Sequence, residues 1–151
     1  MADNNVNVNV NRDKSKLFDF EIYTPADVFL SCKVKSVTVP SVAGAFQVLI
    51  NHAPILVAIE AGTVTYIDEK DETHVLFVET GIVEVKNNKA IFTVASAEKL
   101  ADIKICILEQ LVKEANFALM QANLKDITRI NTSKKIALIN QKIKAVQQAT
   151  A

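Results

Sequence analysis

The chain has 151 residues, and half of them are hydrophobic, so it can form one ordinary domain, or a small domain plus an appendage, with a sizeable core. Its apolar runs are well short of the roughly 18 residues that a membrane-spanning helix needs, so we expect no direct membrane span. Only two cysteines, Cys32 and Cys106, and two histidines are present, which argues against a disulfide framework or a zinc site.

The formal net charge is zero, but the charges are unevenly distributed. Residues 17–97 carry five lysines and ten acids, a net charge of −5, whereas residues 98–151 carry nine cations and five acids, a net charge of +4. This asymmetry predicts two modules, an acidic one over 17–97 and a basic one over 98–151. Residues 1–16 are rich in asparagine, and we expect them to be a disordered N-terminal tail.

The front module alternates between apolar and polar residues. In "LFDFEIY" the side chains of Phe18, Phe20 and Ile22 share one face, which is typical of a half-buried strand. Eight more short runs rich in β-branched or aromatic residues follow, and the stretches "DEKDE" and "KNNK" between some of them predict hairpin turns. These runs are VFLSC, KSVTV, FQVLI, ILVAI, GTVTYI with HVLFV, and GIVEV with AIFTV. The pattern predicts an antiparallel β-sandwich or barrel over 17–97.

Near Ser96 the apolar spacing changes to three and four residues, which is the period of a helix. One apolar face runs from Leu100 to Ala122, with Ser96 as its expected N-cap, and a second runs from Ile136 to Val146. The two patterns are out of phase. We therefore predict an α-helical hairpin with its turn between roughly Asn123 and Ser133, and Asp126 is an alternative start for the second helix.

The histidine in "NHAPI", His52, is a candidate catalytic group by residue type alone. Catalysis by His52 would need a nucleophile or an orienting carboxylate, and the sequence has no GxSxG and no HExxH pattern. Three isolated glycines cannot form a phosphate-binding loop, and the acids at 68–72 suit a solvated hairpin tip better than a calcium loop. We expect no catalytic, cofactor or metal site, and we interpret His52 as part of a structural corner next to Pro54.

The basic C-terminal helix is the strongest interaction signal. Lys134 and Lys144 lie opposite the isoleucine stripe, and Lys135 and Lys142 flank it. No aromatic residue interleaves these lysines, which disfavours nucleic-acid binding. The residues alone therefore predict a β-sandwich interaction or adaptor protein whose basic hairpin binds an acidic protein.

An ordered set of short motifs extends this interpretation. The stretch "TPADVFLSCKVKSVTVPSVAGAFQVLINHAPILVAIEAGTVTYI" resembles the epsilon subunit of bacterial F-type ATP synthase, the homologue of the mitochondrial delta subunit. The later stretch "GIVEV" is similar to another part of the same family pattern. The matching positions include Thr24-Pro25, Phe29, Val39-Pro40, Gly44, Val48-Leu49, His52-Ala53-Pro54, Gly62, Gly81 and Val83-Glu84-Val85.

The resemblance implies a sandwich of about ten strands followed by two α-helices. It also implies a non-catalytic rotor subunit of the central stalk, which couples proton flow through the c-ring to ATP synthesis. The implied partners are the gamma subunit, the c-ring and, as a hypothesis, an acidic segment of the beta subunit (and alpha), through which the hairpin inhibits ATP hydrolysis. The implied location is peripheral, on the cytoplasmic face of a bacterial inner membrane.

The resemblance makes two groups of residues candidates for partner contacts. Those in the front module are Gly44, Asn51 and His52, and those in the basic module are Arg129, Lys134, Lys135, Lys142 and Lys144. Two departures from the family pattern matter. Alanines flank Gly44 where the family has acids, and the Ile/Leu-Asp-x-x-Arg-Ala motif of ATP-binding members is not present, so we expect no cofactor and no tight ATP binding.

Overall fold

The computed structural model describes residues 16–121 and 125–150. The predicted N-terminal tail lies, apart from Lys16, outside the described residues. The described chain forms two compact units that divide between Ala97 and Glu98, a β-unit and a helical unit.

The β-unit contains short strands connected mostly by tight turns. Their bounds are β1 Phe18–Tyr23, β2 Val28–Ser41, β3 Gly44–Leu49, β4 Ile55–Ile59, β5 Gly62–Asp68, β6 Thr73–Val78, β7 Gly81–Lys86 and β8 Lys89–Val94. A further three-residue strand, β9 (Ala97–Lys99), crosses the division between the two units.

The strand pairings in the β-unit form a closed ring. The order is β1-β8-β7-β4-β2-β5-β6, with β3 beside β2, and β1 also pairs with β2. The strands β1, β8, β7, β4 and β2 therefore form a closed ring of pairings, and β3, β5 and β6 add further residues to the same core. The predicted sandwich with a following helical hairpin is confirmed. One pair differs from the antiparallel expectation, since β1 runs parallel to β8. These two strands are far apart in sequence and are not joined by a hairpin turn, so the sequence pattern does not predict their pairing.

The long strand β2 joins two strands that the sequence analysis treated as separate. "VFLSC" and "KSVTV" form one strand of 14 residues, with a register irregularity against β5 between Val34 and Ser36. The residues between the two runs include no glycine or proline, so the strand bends there without ending. Strand β2 pairs along both edges. Strands β1 and β3 pair with successive parts of one edge, and β5 pairs with the other edge. The described residues thus form nine strands rather than about ten.

The core of the β-unit follows the predicted alternation. Phe18, Phe20 and Ile22 of β1 are all buried, and their polar neighbours point outward. At the centre the ring of Phe20 lies 5.1 Å from that of Phe92 in an edge-to-face arrangement and 5.3 Å from that of Tyr66. Such pairs add specific geometry to the area that the aromatic rings bury.

The first helix begins later than predicted. After β9 the chain forms a 3-10 turn over Leu100–Asp102, and helix α1 spans Ile105–Leu119. Ser96 is not the N-cap, because its carbonyl oxygen accepts the N–H of Glu79 at 2.9 Å and so belongs to the β-unit. Helix α1 has Lys104 at its N-cap position, without a side-chain hydrogen bond.

The second helix begins earlier than the main prediction. Helix α2 spans Asp126–Thr150, so the alternative start near Asp126 is correct and the turn does not reach Ser133. The stretch "NTS" at 131–133 is helical, and the hydroxyl of Thr132 donates to the carbonyl of Thr128 at 2.7 Å. That bond satisfies the hydroxyl within the helix. The first two residues of the predicted turn, 123 and 124, lie outside the described residues. Neither helix is long and apolar enough to cross a membrane, judged over the described parts of the chain.

Candidate partner-contact surfaces

The turn between β2 and β3 carries the first candidate, Gly44. Its φ is +113°, a conformation that residues with a side chain rarely adopt, and the hydroxyl of Ser41 donates to its carbonyl oxygen. An added Cβ would meet nothing within 4 Å, so backbone conformation rather than space requires glycine. Val42 in the same turn is 62% exposed, so the turn presents an apolar side chain at the surface.

The loop between β3 and β4 is tied to the turn between β7 and β8. The N–H of Asn51 donates to Oδ1 of Asn88 at 2.7 Å, and Nδ2 of Asn88 donates to Oδ1 of Asn51 at 3.3 Å. Both asparagines have positive φ, 60° and 57°, which asparagine tolerates better than most residues. This reciprocal pair fixes the loop that presents His52.

His52 makes the backbone contacts of a structural corner. Its N–H donates to the carbonyl of Leu49 at 3.2 Å, and its Nδ1 lies 2.7 Å from the carbonyl oxygen of Ala53. Because a carbonyl oxygen only accepts, Nδ1 carries a proton in this contact. The ring also lies 6.4 Å from that of Phe46. The half-buried imidazole therefore braces the turn before Pro54.

Replacing Asn88 with alanine tests this brace. The variant loses both cross-loop hydrogen bonds and places alanine at positive φ, and we expect it to lower the free energy of unfolding by about 1–3 kcal/mol. Urea denaturation of the full chain measures the loss. Asn87→Ala is the matched control, because Asn87 has a φ of 51° but makes no bond to Asn51. Equal losses in the two variants would show that the cross-loop bonds contribute nothing.

The basic candidates on α2 fall into two classes. Arg129, Lys134, Lys135 and Lys144 are exposed. Lys142 is different, because its side chain is only 12% exposed and its Nζ lies 3.0 Å from Oε2 of Glu98. Lys142 would have to break this ion pair before it met a partner, so it is the weakest of the five candidates.

The helical unit also exposes large apolar side chains. Ile107 and Leu111 lie on the apolar face predicted between Leu100 and Ala122, yet they are 52% and 39% exposed. Further exposed residues lie around the connection between the helices, in the last turn and C-cap of α1 and in the first turns of α2. These are Phe117, Met120, Ile127 and Ile130.

A second exposed apolar surface crosses the β-unit, and the sequence analysis missed it. We call it the outer stripe and define it as Val28, Tyr23, Thr93, Ile82 and Ala58, which lie side by side on β2, β1, β8, β7 and β4. Val28 and Ile82 are about half exposed, and Leu56, two residues before Ala58, is 70% exposed. The signal in the sequence was the unbroken apolar run "ILVAI", which suits a strand covered on both faces.

Ion pairs border the outer stripe. The carboxylate of Glu21 accepts a hydrogen bond from the Tyr23 hydroxyl at 2.6 Å and lies 3.1 Å from the Lys89 ammonium. The Tyr23 hydroxyl, followed by Lys89, lowers the pKa of Glu21, and the same contacts raise the pKa of Tyr23 and of Lys89. Lys33 and Asp19 pair nearby at 3.0 Å. An apolar row with charged neighbours has the composition of a protein interface.

Known proteins with the same features identify the family. The model of the family described as "ATP synthase, Delta/Epsilon chain, beta-sandwich domain" matches residues 17–100. The chain is 41% identical over 91 residues to the ATP synthase epsilon chain of Maridesulfovibrio salexigens, covering 60% of this chain and 63% of that one. It is 32% identical over 106 residues to the epsilon chain of Anaeromyxobacter sp. (strain K), covering 70% and 80%.

Solved structures share the fold at much lower sequence identity. A chain of the Euglena gracilis mitochondrial ATP synthase (OSCP/F1/c-ring) aligns with a TM-score of 0.71 and 14% identity, covering 89% of this chain and 82% of that chain. A chain from the central stalk and c-ring of the Tetrahymena thermophila enzyme aligns with a TM-score of 0.56 and 13% identity, covering 88% and 96%. At such identities the likeness concerns the fold alone.

These matches confirm the predicted resemblance. The chain belongs to the ATP synthase delta/epsilon family. For several of the curated relatives the match spans slightly less than two thirds of the relative's length, for example 64% of the Desulfosudis oleivorans epsilon chain at 36% identity.

Proposed function

We propose that this chain is a non-catalytic rotor subunit of the F1Fo ATP synthase central stalk, where it couples proton flow through the c-ring to ATP synthesis. The observation that carries the proposal is the outer stripe, because it gives a sandwich of this family an apolar docking face. In this proposal residues 17–97 are the docking domain and residues 98–151 are a regulatory domain.

The gamma subunit is the proposed partner of the outer stripe. Five neighbouring strands present it, so the hydrogen-bond ladder already fixes its backbone and little backbone freedom is lost on binding. Tyr23 and Ile82 are the proposed anchors, since aromatic and large aliphatic side chains at the centre of an interface contribute most of its binding energy.

The c-ring is the proposed partner of the two loops that carry Gly44 and the Asn51–His52 corner. Both loops are constrained, the first by the positive φ of Gly44 and the second by the Asn51–Asn88 pair. Rigid loops suit a subunit that transmits torque, because a mobile contact would absorb the rotation. In this role the protein is bound peripherally at the membrane through its partners.

The helical unit is the proposed inhibitor of ATP hydrolysis. The exposed cations Arg129, Lys134, Lys135 and Lys144 would face an acidic segment of the beta subunit (and alpha). The exposed apolar residues of both helices offer a second surface that gains stability when a partner covers it. A hairpin with two such docking options is a two-state switch whenever their free energies are close.

One assay tests both parts of the proposal. The cognate catalytic complex without this subunit is titrated with the full chain, and gamma-dependent binding and ATP hydrolysis are measured together. Ile82→Glu, which places a charge in the outer stripe, is expected to weaken binding at least about tenfold. Thr63→Glu is the matched control, because Thr63 is exposed on β5 outside the stripe. Its binding should be unchanged.

The inhibitory part has its own variant. The double variant Lys134→Gln/Lys135→Gln is expected to bind as well as the unmodified chain but to inhibit hydrolysis less, whereas Lys70→Gln/Lys86→Gln, the same charge change on the β-unit, inhibits fully. If the full chain binds without inhibiting, the rotor role stands and the inhibitory role is wrong. If the full chain does not bind the catalytic complex, the rotor proposal fails. The alternative is then an adaptor protein whose basic hairpin binds another acidic protein.

A further inference from the structure

Three metal-binding side chains converge at the end of the β5–β6 hairpin. Nε2 of His74 lies 2.8 Å from Oδ2 of Asp68 and 4.0 Å from Oε2 of Glu72. The three donor atoms all lie within 4.8 Å of one another. Asp68 is the last residue of β5 and His74 the second residue of β6, so the hairpin brings together residues that are six positions apart.

The carboxylate of Asp68 is held by its other oxygen. Oδ1 accepts the N–H of Lys70 at 2.8 Å and the N–H of Glu72 at 2.9 Å, which leaves Oδ2 directed at His74. The backbone N–H of Asp68 also donates to the carbonyl of Glu72 at 3.0 Å, which fixes the turn. Because the turn holds Asp68 from two sides, one carboxylate oxygen is oriented before any ion arrives.

The imidazole of His74 is held by its cross-strand neighbour. His74 pairs with Tyr66 in the β5–β6 register, and the two rings stack with centroids 4.8 Å apart and planes 18° apart. The stacking holds the plane of the imidazole, and with it Nε2, toward the two carboxylates. The third side chain, Glu72, is 66% exposed, so its neighbours constrain its carboxylate less than they constrain Asp68 and His74.

We propose that Asp68, Glu72 and His74 bind a divalent transition-metal ion of the Zn²⁺ class. Zinc takes imidazole nitrogen and carboxylate oxygen at about 2.0–2.2 Å in a tetrahedral arrangement, which places ligand atoms roughly 3.3 Å apart. The separations of 2.8 Å and 4.0 Å from Nε2 of His74 lie on either side of that value, and all three donor atoms lie within 4.8 Å of one another. Binding would therefore require the exposed Glu72 carboxylate to rotate toward the other two donors. A water molecule would complete the coordination.

The donor set distinguishes this site from the calcium loop considered for the acids at 68–72. Calcium and magnesium prefer oxygen ligands alone, whereas an imidazole with two carboxylates suits zinc and its neighbours. The ammonium of Lys35 lies 2.7 Å from Oδ1 of Asp71, which is not one of the three donors. The bound ion would replace the Asp68–His74 hydrogen bond and clamp the two strands.

The two histidines of the chain provide a matched pair of variants. Isothermal titration of the full chain with Zn²⁺ is expected to show saturable binding of one ion in the micromolar range. His74→Ala should weaken it at least about tenfold, and His52→Ala should leave it unchanged. Zn²⁺ should also raise the Tm of the unmodified chain and of His52→Ala, but not that of His74→Ala.

Glu72→Gln covers the case in which His74→Ala fails to fold, because Glu72 lies at the surface and its loss should weaken binding without unfolding the chain. The absence of saturable binding to the unmodified chain would overturn the proposal. Binding that persists in both His74→Ala and Glu72→Gln would also overturn it, since the ion would then lie elsewhere, for example on Cys32 or Cys106. The measurement needs no other subunit, so its outcome is independent of the rotor proposal.

Discussion

Replacing Phe20 with alanine is expected to lower the free energy of unfolding by about 3–5 kcal/mol. Phe20 is fully buried, and its ring contacts those of Phe92 and Tyr66 at the centre of the β-unit. Truncation leaves a cavity in the core. Because β1 is hydrogen-bonded to β2 on one side and to β8 on the other, the backbone cannot shift enough to fill it. The midpoint and slope of urea denaturation give the loss, provided that the unfolding of the β-unit is followed.

The matched control for Phe20→Ala is Leu56→Ala. Leu56 is also a large apolar residue of the β-unit, but it is 70% exposed beside the outer stripe, so its loss should change stability by no more than about 0.5 kcal/mol. The two variants distinguish a residue that stabilises the core from a residue that contacts a partner. Leu56→Ala should weaken partner binding while the chain stays folded, and Phe20→Ala should weaken it only as the folded fraction falls. A stable Phe20→Ala variant would contradict the assignment of the core.

Replacing Gly81 with alanine is expected to cost about 3 kcal/mol or more. Gly81 opens β7 opposite Val94 of β8, and an added Cβ would lie 2.7 Å from the Cα of Val94 and closer still to the carbonyl oxygen of Thr93. Both atoms belong to the backbone, so relief requires β7 and β8 to separate. Thermal unfolding of the full chain would show the loss as a large fall in Tm.

Gly62→Ala is the control for Gly81→Ala. At Gly62 an added Cβ would first meet Cβ of Pro40 at 3.2 Å, which is too close by only a few tenths of an ångström, whereas the backbone contacts at Gly81 are much shorter. We therefore expect a clearly smaller loss. If the two alanine variants were equally stable, the close approach of β7 and β8 at Gly81 would be wrong. The comparison also tests the β7–β8 register that forms part of the outer stripe, because the Ile82–Thr93 pair is next to the Gly81–Val94 pair.

Local patterns in the sequence sufficed to predict most strands and their buried faces. Phe18, Phe20 and Ile22 alternate with polar residues, and a strand that turns every second side chain inward must bury them together. The turn between β7 and β8 was equally legible, since Asn87 and Asn88 both adopt the positive φ that a two-residue hairpin requires. Short motifs such as His52-Ala53-Pro54 then identified the family.

Helix boundaries were predicted less well because non-local bonds set them. Ser96 has the right chemistry for an N-cap, but its carbonyl is bonded to Glu79, a residue 17 positions earlier, so the helix begins only at Ile105. Conversely, "NTS" at 131–133 resembles a turn, yet α2 continues through it. Cap and turn propensities differ by about 1 kcal/mol or less, and tertiary contacts of similar size override them.

The sequence by itself thus determined the family, the two modules' charge and the alternation that forms the β-unit core. Only the tertiary structure decided which strands are neighbours, and the surfaces depend on that choice. The outer stripe exists because β1 pairs in parallel with β8, which places Tyr23 beside Thr93 and Ile82. The Asp68–Glu72–His74 cluster likewise depends on the β5–β6 register, which sets Tyr66 against His74. Strand register and pairing are set by contacts between residues that are distant in the sequence, so no single stretch of sequence encodes them.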